Sequence, residues 1–323
     1  MSAWPARMHV RRFSTHIEVL TPAKVNLYLE VLTRRADGFH EIDTVMAGVS
    51  IYDSLRFEAI RGSEIRLNCR WGLGCANLPP DAKGNLPHEP LYGDIPGGSE
   101  NLVWRAVELL RKAGGLERGA SIELVKRIPA AAGLGGGSSD AAAALVAANY
   151  GWNLNLPQEQ LRELAAELGS DVPFFLSGLS SGGAARCRGR GEKIDFLPAK
   201  PLPVVLVRPP IGMGTAQVYQ ACRPAETPAD GESLRQGIAK GDAVRVGCRM
   251  MNRLQAAAET LTPWIGRLSD RFAKDEVLGH QMSGSGSSYF GLCRSARSAR
   301  RVRARLRSMR LGAVFAATTA AAS

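Results

Sequence analysis

Lys126 to Asn149 reads KRIPAAAGLGGGSSDAAAALVAAN, and the fold is decided by how this stretch is read. A strand-like run ends at Ile128, and Pro129 breaks it. Gly133, Gly135, Gly136 and Gly137 then make a turn that can take positive φ and admit a ligand close to the backbone. Successive N–H groups in such a turn form a concave anion site. Ser138, Ser139 and Asp140 open a run of alanine and leucine, with good cap and first-turn residues ahead of the best helix former. A helix N-terminus carries unpaired N–H groups and positive partial charge, which suits phosphate. The stretch therefore predicts a strand, a phosphate cradle and a helix. It is not a Walker A loop, because no Gly-Lys-Ser/Thr closes it. It is not the dinucleotide fingerprint either, because Ser138 stands where the third glycine belongs.

Pro129 to Ser139 resemble the second motif of the GHMP kinases, a family of small-molecule kinases whose glycine loop runs close to Pro-x-x-x-Gly-Leu-Gly-Ser/Gly-Ser-Ser/Gly-Ser. Two further motifs of that family have counterparts in the expected order. Pro22-Ala23-Lys24-Val25-Asn26-Leu27, followed by Arg35-Ala36-Asp37-Gly38-Phe39-His40, is similar to the first motif of the subfamily that phosphorylates 4-diphosphocytidyl-2-C-methyl-D-erythritol. Phe39 stands where Tyr is commoner and keeps the ring. Met282 to Ser288, MSGSGSS, resembles the third motif, a second glycine turn. Gly169-Ser170-Asp171-Val172-Pro173 resembles the family's Gly-Ala/Ser-Asp-Val-Pro segment.

The resemblance implies an α+β, two-domain GHMP kinase fold. The N-terminal domain, 14–190, would be ribosomal-protein-like βαβ and hold the ATP loop. The C-terminal domain, 191–323, would pack helices on an antiparallel sheet. It implies ATP-dependent phosphorylation of the 2-hydroxyl of that cytidyl diphosphate substrate, in non-mevalonate isoprenoid precursor synthesis. The ATP cradle would be Pro129, Ala130, Ala131, Ala132, Gly133, Leu134, Gly135, Gly136, Gly137, Ser138 and Ser139. Mg²⁺ would bridge the ATP phosphates and keep several waters, so a dedicated protein metal site is not expected; Ser138 or Ser139 can lend it an oxygen. Asp171 would accept the hydroxyl proton, with Lys24 beside it holding the hydroxyl and keeping the carboxylate ionised. Asp171 also sits where it can cap a helix. Phe39 and Tyr219 would stack on cytosine and His40 would read its edge. Asn26 would hold the sugar-like or phosphate end, and Thr215 lies in the segment placed against cytidine. Asp140 either orients the acceptor or favours the helix N-terminus.

Composition bounds the alternatives. The chain has 323 residues, 45% of them hydrophobic, ample for one large or two ordinary domains. A formal charge of +11, mostly arginine, admits nucleic acid or anionic substrates as partners. The densest basic run, Arg294 to Arg310, places Val302, Leu306 and Met309 at helical spacing and carries no aromatic platform, so it reads as a solvated helix face. A nucleic-acid partner is not expected. Six cysteines without a CxxC indicate neither zinc nor a disulfide framework. No apolar run reaches about eighteen residues, and the N-terminus has no apolar h-region. A cytoplasmic protein, not bound to membrane, is expected, as a monomer or a homodimer. The alternative is another GHMP kinase, acting on a sugar, homoserine or mevalonate.

Residues 1 to about 13 read as a frayed extension. Alternating residues predict strands over Ile17–Val19 and Val25–Val31, with Pro22 between them, and further short strands at 54–57 and 64–68. Cys69 to Gly98 reads as a loop, either an insert near the substrate or a surface excursion. Helices are expected from Ser99, Pro157, Gly247 and Pro263, with a glycine-rich turn at 180–191 and a buried strand at 203–208.

Overall fold

The two alternating runs near the N-terminus form one strand. The computed structural model describes residues 7–73, 75, 92–177 and 183–320. It opens with β1 (His9–Arg12), β2 (Ile17–Arg34) and β3 (His40–Ile60). β1 pairs antiparallel with β2, so part of the segment expected to fray is a sheet edge; residues 1–6 lie outside the described residues. Pro22 does not end β2. It has no N–H to give the ladder, and the register with β3 shifts between Pro22 and Ala23, then again between Asn26 and Tyr28. β3 absorbs the short strand expected at 54–57. The polar side of β2 does not face water: Thr21, Lys24, Asn26 and Glu30 are all buried.

β4 (Ile65–Trp71) takes up the first residues of the expected long loop, of which 74 and 76–91 lie outside the described residues. α1 (Leu102–Ala113) is capped by Asn101, whose side chain accepts from the Val103 N–H, and it buries the predicted face of Val103, Ala106, Val107 and Leu110. β5 (Gly119–Lys126) lies between β3, antiparallel, and β4, parallel. α2 (Gly136–Gly151), α3 (Gln158–Leu168) and α4 (Val172–Ser177) follow. Every residue of α2 from Ala141 to Ala148 is buried. Small side chains let this helix pack against β2, β3, α1, α3 and α4 together. β6 (Ala184–Gly189) and β7 (Lys193–Leu197) extend the same sheet from the other end of β3. The stretch expected as a turn at 180–191 thus contains a strand, with 180–182 outside the described residues. The junction expected at 190/191 falls in the β6–β7 turn, and the first sheet runs on to Leu197.

The second half begins with β8 (Pro203–Arg208), α5 (Thr215–Ala221), α6 (Glu232–Lys240) and α7 (Ala243–Arg249). The helix expected from Gly247 to Ala258 is interrupted by β9 (Met251–Asn252), which pairs parallel with β2 in the first sheet. α8 (Leu254–Leu261), α9 (Pro263–Phe272), β10 (Gly279–Met282), β11 (Tyr289–Leu292), α10 (Ala296–Ser308) and β12 (Ala313–Thr318) complete the chain. The second sheet has the order β10-β11-β8-β12, antiparallel throughout. α10 is the arginine-rich segment. It buries Val302 and Leu306, but Met309 is 41% exposed, because the helix has already ended there. The architecture is the α+β, two-sheet arrangement of the expectation. Val25, Leu27, Val45 and Val49 of the first sheet share one core with Val204, Leu206, Phe290 and Leu292 of the second. Among the described residues no helix is long and apolar enough to cross a membrane.

A buried ion cluster joins β3, β5 and α2. Asp53, at the bend of β3, accepts from the Lys126 ammonium and from the backbone N–H groups of Arg127 and Ile128. Lys126 also reaches Asp140 on α2, at 2.5 Å. Burial opposes the Lys126 charge, but Asp140 and Asp53 outweigh it and raise the pKa. Burial also pushes the Asp140 carboxyl well up, against the pull of Lys126. The cluster fixes where β5 ends and where the glycine loop begins. Asp53→Ala would leave Lys126 short of a partner and two N–H groups without an acceptor. It should cost about 3–5 kcal/mol in urea unfolding. A variant as stable as the parent would show that the cluster does not hold this junction.

Candidate active site

The cradle begins where β5 stops. Pro129 to Gly135 make the turn, and Ala131, Gly133 and Gly135 all lie at positive φ. Gly133 has the tightest surroundings: a Cβ there would stand 2.0 Å from the Ser283 carbonyl oxygen. The second glycine turn, 283–288, is stitched to the first. The Ser283 hydroxyl donates to the Gly133 carbonyl at 2.9 Å, and the Ser288 N–H to the Ala132 carbonyl at 3.1 Å. Asn252 of β9 holds the far side, its amide donating to the Met282 and Gly284 carbonyls at 2.8 Å each. Gly135, at φ 67°, is the cap of α2, so the helix starts at Gly136, ahead of the serines. Its first-turn N–H groups, at Gly136, Gly137 and Ser138, border one cavity of about 1210 Å³. That exceeds the usual size of a single small-molecule site.

Lys24 and Asp171 meet on the wall of this cavity. The ammonium is 3.3 Å from the Asp171 carboxylate and donates to the Asn26 side-chain oxygen at 2.6 Å. The Lys24 N–H donates to the Leu134 carbonyl at 2.9 Å, which ties β2 to the glycine loop. Asp171 immediately precedes α4, which is anchored by buried Val172, Phe174, Phe175 and Leu176. The Asn26 amide donates to the Thr44 hydroxyl at 2.8 Å, and Thr44 in turn donates to the Tyr28 carbonyl. A charged amine and a carboxylate thus face the cavity from rigid elements, at a separation where one hydroxyl can touch both.

Three rings also line the cavity. His40 and Tyr219 are 5.2 Å apart between centroids, and Phe39 is half exposed, with the Arg190 guanidinium 4.7 Å above its ring. Burial, and then the charge of Arg34, lowers the His40 pKa. Its imidazole is therefore neutral at pH 7, one nitrogen donating and the other accepting. The Thr215 hydroxyl lies 3.0 Å from that of Ser285 in the second glycine turn.

Residues 101–185 match the GHMP kinases N-terminal domain, and residues 234–310 match the GHMP kinases C-terminal region. A 4-diphosphocytidyl-2-C-methyl-D-erythritol kinase of Pelotomaculum thermopropionicum is 43% identical, over 90% of this chain and 94% of its own. One of Rhodopirellula baltica is 37% identical, over 86% of this chain and 87% of its own. The crystal structure of a 4-(cytidine 5'-diphospho)-2C-methyl-D-erythritol kinase superposes with a TM-score of 0.75 at 36% identity, covering 94% of this chain and 99% of that one. The chain belongs to the GHMP kinase family. It is an ATP-dependent small-molecule kinase. A homoserine kinase of Cytophaga hutchinsonii, 19% identical with a TM-score of 0.68 over 97% of each chain, shares the fold.

Within this GHMP kinase most expected residues converge. Lys24, Asn26, Phe39, His40, Pro129 to Gly133, Gly135 to Ser138, Asp171, Thr215 and Tyr219 all line the one cavity. Three do not. Leu134 is buried in the core between the sheets. The Ser139 hydroxyl donates to the Pro22 carbonyl at 2.6 Å and pairs with Thr21, turned towards β2 and away from the cavity. Asp140 is committed to Lys126 beneath the loop. The reason is the helix start: once α2 begins at Gly136, Ser139 and Asp140 lie a turn inside it. Of the two serines, only Ser138 faces the cradle. Arg34, Ser170 and Arg190 also line the cavity. Sequence reading had singled out none of them. Among the described residues, no cluster of three or more His, Cys, Asp or Glu side chains could hold a metal ion.

Gly133→Ala should be the most damaging small change in the cradle. It drives a methyl into the Ser283 carbonyl and strains a positive φ, at a cost of at least about 3 kcal/mol. Thermal unfolding would register it. Gly137→Ala, where an added Cβ meets only Leu102 at 3.5 Å, should leave stability near that of the parent.

Proposed function

We propose that this kinase transfers the γ-phosphoryl group of ATP to the 2-hydroxyl of 4-diphosphocytidyl-2-C-methyl-D-erythritol, a step of non-mevalonate isoprenoid precursor synthesis. The observation that carries the reading is one cavity lined by the glycine cradle, by the Lys24–Asp171 pair at 3.3 Å, and by Phe39, His40 and Tyr219. Relatives 43% and 37% identical that bear this activity in their names support it.

The residues divide the work. N–H groups of the glycine turn and the first turn of α2 receive the donor phosphates. ATP supplies the phosphoryl group, and Mg²⁺ neutralises the charge of its phosphates. Gly137 fits this: it lines the cavity, and a Cβ there would meet only Leu102, at 3.5 Å. Such an ion takes phosphate and water oxygens, so few protein ligands are needed; Ser138 is the cradle hydroxyl placed to add one. Asp171 takes the acceptor's proton as the hydroxyl attacks. Lys24, steered by Asn26, holds that hydroxyl and offsets charge on the transferring group. Both polar ends of Asn26 are engaged, so it acts on the acceptor through Lys24. Phe39 and Tyr219 flank cytosine, and neutral His40 reads its edge. Thr215 and Ser285 also line the cavity. Six unpaired cysteines suit a reducing, cytoplasmic setting.

Two measurements test this. Asp171→Asn should lower kcat by about 10² to 10⁴-fold and leave the KM for ATP near that of the parent, because only the proton acceptor is removed. A folded variant with parental turnover would remove Asp171 from the mechanism. The second is a phosphorylation assay across acceptors with ATP and Mg²⁺. Transfer to the cytidyl substrate is expected. Transfer to homoserine, mevalonate or a sugar alone would replace the acceptor reading and leave the kinase assignment standing.

A further inference from the structure

Arg190 places a guanidinium in the reactive cavity, and among the described residues no carboxylate lies within ion-pair distance of it. It lies in the turn between β6 and β7 and lines the same cavity as Lys24 and Asp171. Its guanidinium stacks on Phe39 at 4.7 Å, and its backbone N–H donates to Glu192 at 2.6 Å. Among the described residues its guanidinium makes no ion pair. Asp37, the acid on the Phe39 turn, feels the Arg190 charge but accepts its direct hydrogen bonds from the Arg35 side chain and the Phe39 N–H. The following residue, Gly191, runs close to the reaction centre. A Cβ there would stand 3.4 Å from the Ser170 carbonyl and 3.8 Å from the Asp171 carboxylate. The turn therefore spans from the base of the phosphoryl transfer to the ring of the nucleobase site. Arg34, also lining the cavity and also without an ion pair among the described residues, adds a second positive charge there.

We propose that Arg190 is the phosphate-reading residue of the acceptor site: its guanidinium binds the diphosphate that joins the nucleoside to the reacting alcohol. The inference rests on the acceptor reading above. The position follows from chemistry. In a cytidyl diphosphate alcohol the phosphates lie between base and hydroxyl, and Arg190 lies between Phe39 and Asp171. The planar fork of arginine suits bidentate contact with phosphate oxygens, and stacking on Phe39 fixes its plane beforehand. An acceptor without phosphates, such as a free sugar alcohol or homoserine, would leave the charge unanswered, so the residue selects as well as binds.

The test separates charge from stacking. Binding of cytidine and of CDP, measured by calorimetry on the full chain, is compared in the parent, Arg190→Gln and Phe39→Leu. Arg190→Gln should weaken CDP about tenfold to a hundredfold and leave cytidine unchanged. Phe39→Leu should weaken both. Arg190→Lys should recover part of the CDP affinity, and in turnover the Gln variant should raise the KM for the acceptor with kcat and the KM for ATP held. Equal losses for cytidine and CDP in Arg190→Gln would mean that the residue only props the ring, and no loss would mean that it reads nothing; either overturns the inference. A parent protein that binds neither ligand would overturn the acceptor reading itself, an outcome distinct from both.

Discussion

Position 133 admits no side chain, and the active site depends on that. The two glycine turns approach so closely at Gly133 and Ser283 that their carbonyls, hydroxyl and N–H groups bond to one another directly. One turn belongs to the first sheet and its helices, the other to the antiparallel second sheet. Their contact sets the distance from the phosphate cradle to everything carried by the second half of the chain, including Thr215 and Tyr219 on α5. β9 reinforces the joint: two residues of the second half add a strand to β2, and Asn252 uses its amide to pin the turn from behind. A site assembled from two sheets needs such a seam, because phosphoryl transfer tolerates little misplacement of the hydroxyl.

Burying charge is the second constraint, and two of its arrangements brace the site. Lys126 lies between Asp53 and Asp140 beneath the loop. Glu30, fully buried on β2, takes a bidentate pair from Arg253 at 2.6 and 2.8 Å and a further N–H from Ala229. Burial pushes the Glu30 carboxyl up, but these hydrogen bonds hold it below its usual range. Neither arrangement touches the cavity. Each ties an element of the site to something distant in sequence: the glycine loop to the bend of β3, and β2 to the end of β9. Buried ion pairs are weak sources of stability but strong sources of register, since breaking one side leaves an unpaired charge. In a chain whose cores are filled mostly by alanine, valine and leucine, that register matters.

The sequence carried the local parts of the site well. Glycines and prolines mark turns for steric reasons that do not depend on context, so both glycine turns, the α1 face and the β8 strand were legible. What depended on tertiary contact was not. Ser138 and Ser139 are equivalent in sequence, and only the start of α2 at Gly136 turns one to the cradle and the other to Pro22. Asp140 could be read as orienting the acceptor or as favouring the helix N-terminus, because its partner, Lys126, lies on another element and gives no sign at short range. β9 is two residues long and shows no periodicity. Arg190 fell in a segment whose glycines spoke of a turn, and one arginine among many carries no mark of function until its neighbours are seen. Met309 continued a helical spacing past the point where the backbone left the helix.

The cavity joins a cradle made of backbone to walls made of side chains. The cradle is backbone: N–H groups, glycines at positive φ and a helix start, none of which names an acceptor. A homoserine kinase at 19% identity keeps the whole fold. Side chains of the β2–β3 turn, the start of β3, the β6–β7 turn and α5 line the rest of the cavity. The two turns are surface connections, free to change without disturbing a core; α5 is not, because Val218 is buried in a core and Tyr219 packs against it. Lys24 and Asp171 sit between the two regions on rigid elements, within reach of any hydroxyl delivered to them. On the mechanism proposed above, acceptor choice resides in the segments that bring the hydroxyl to that pair.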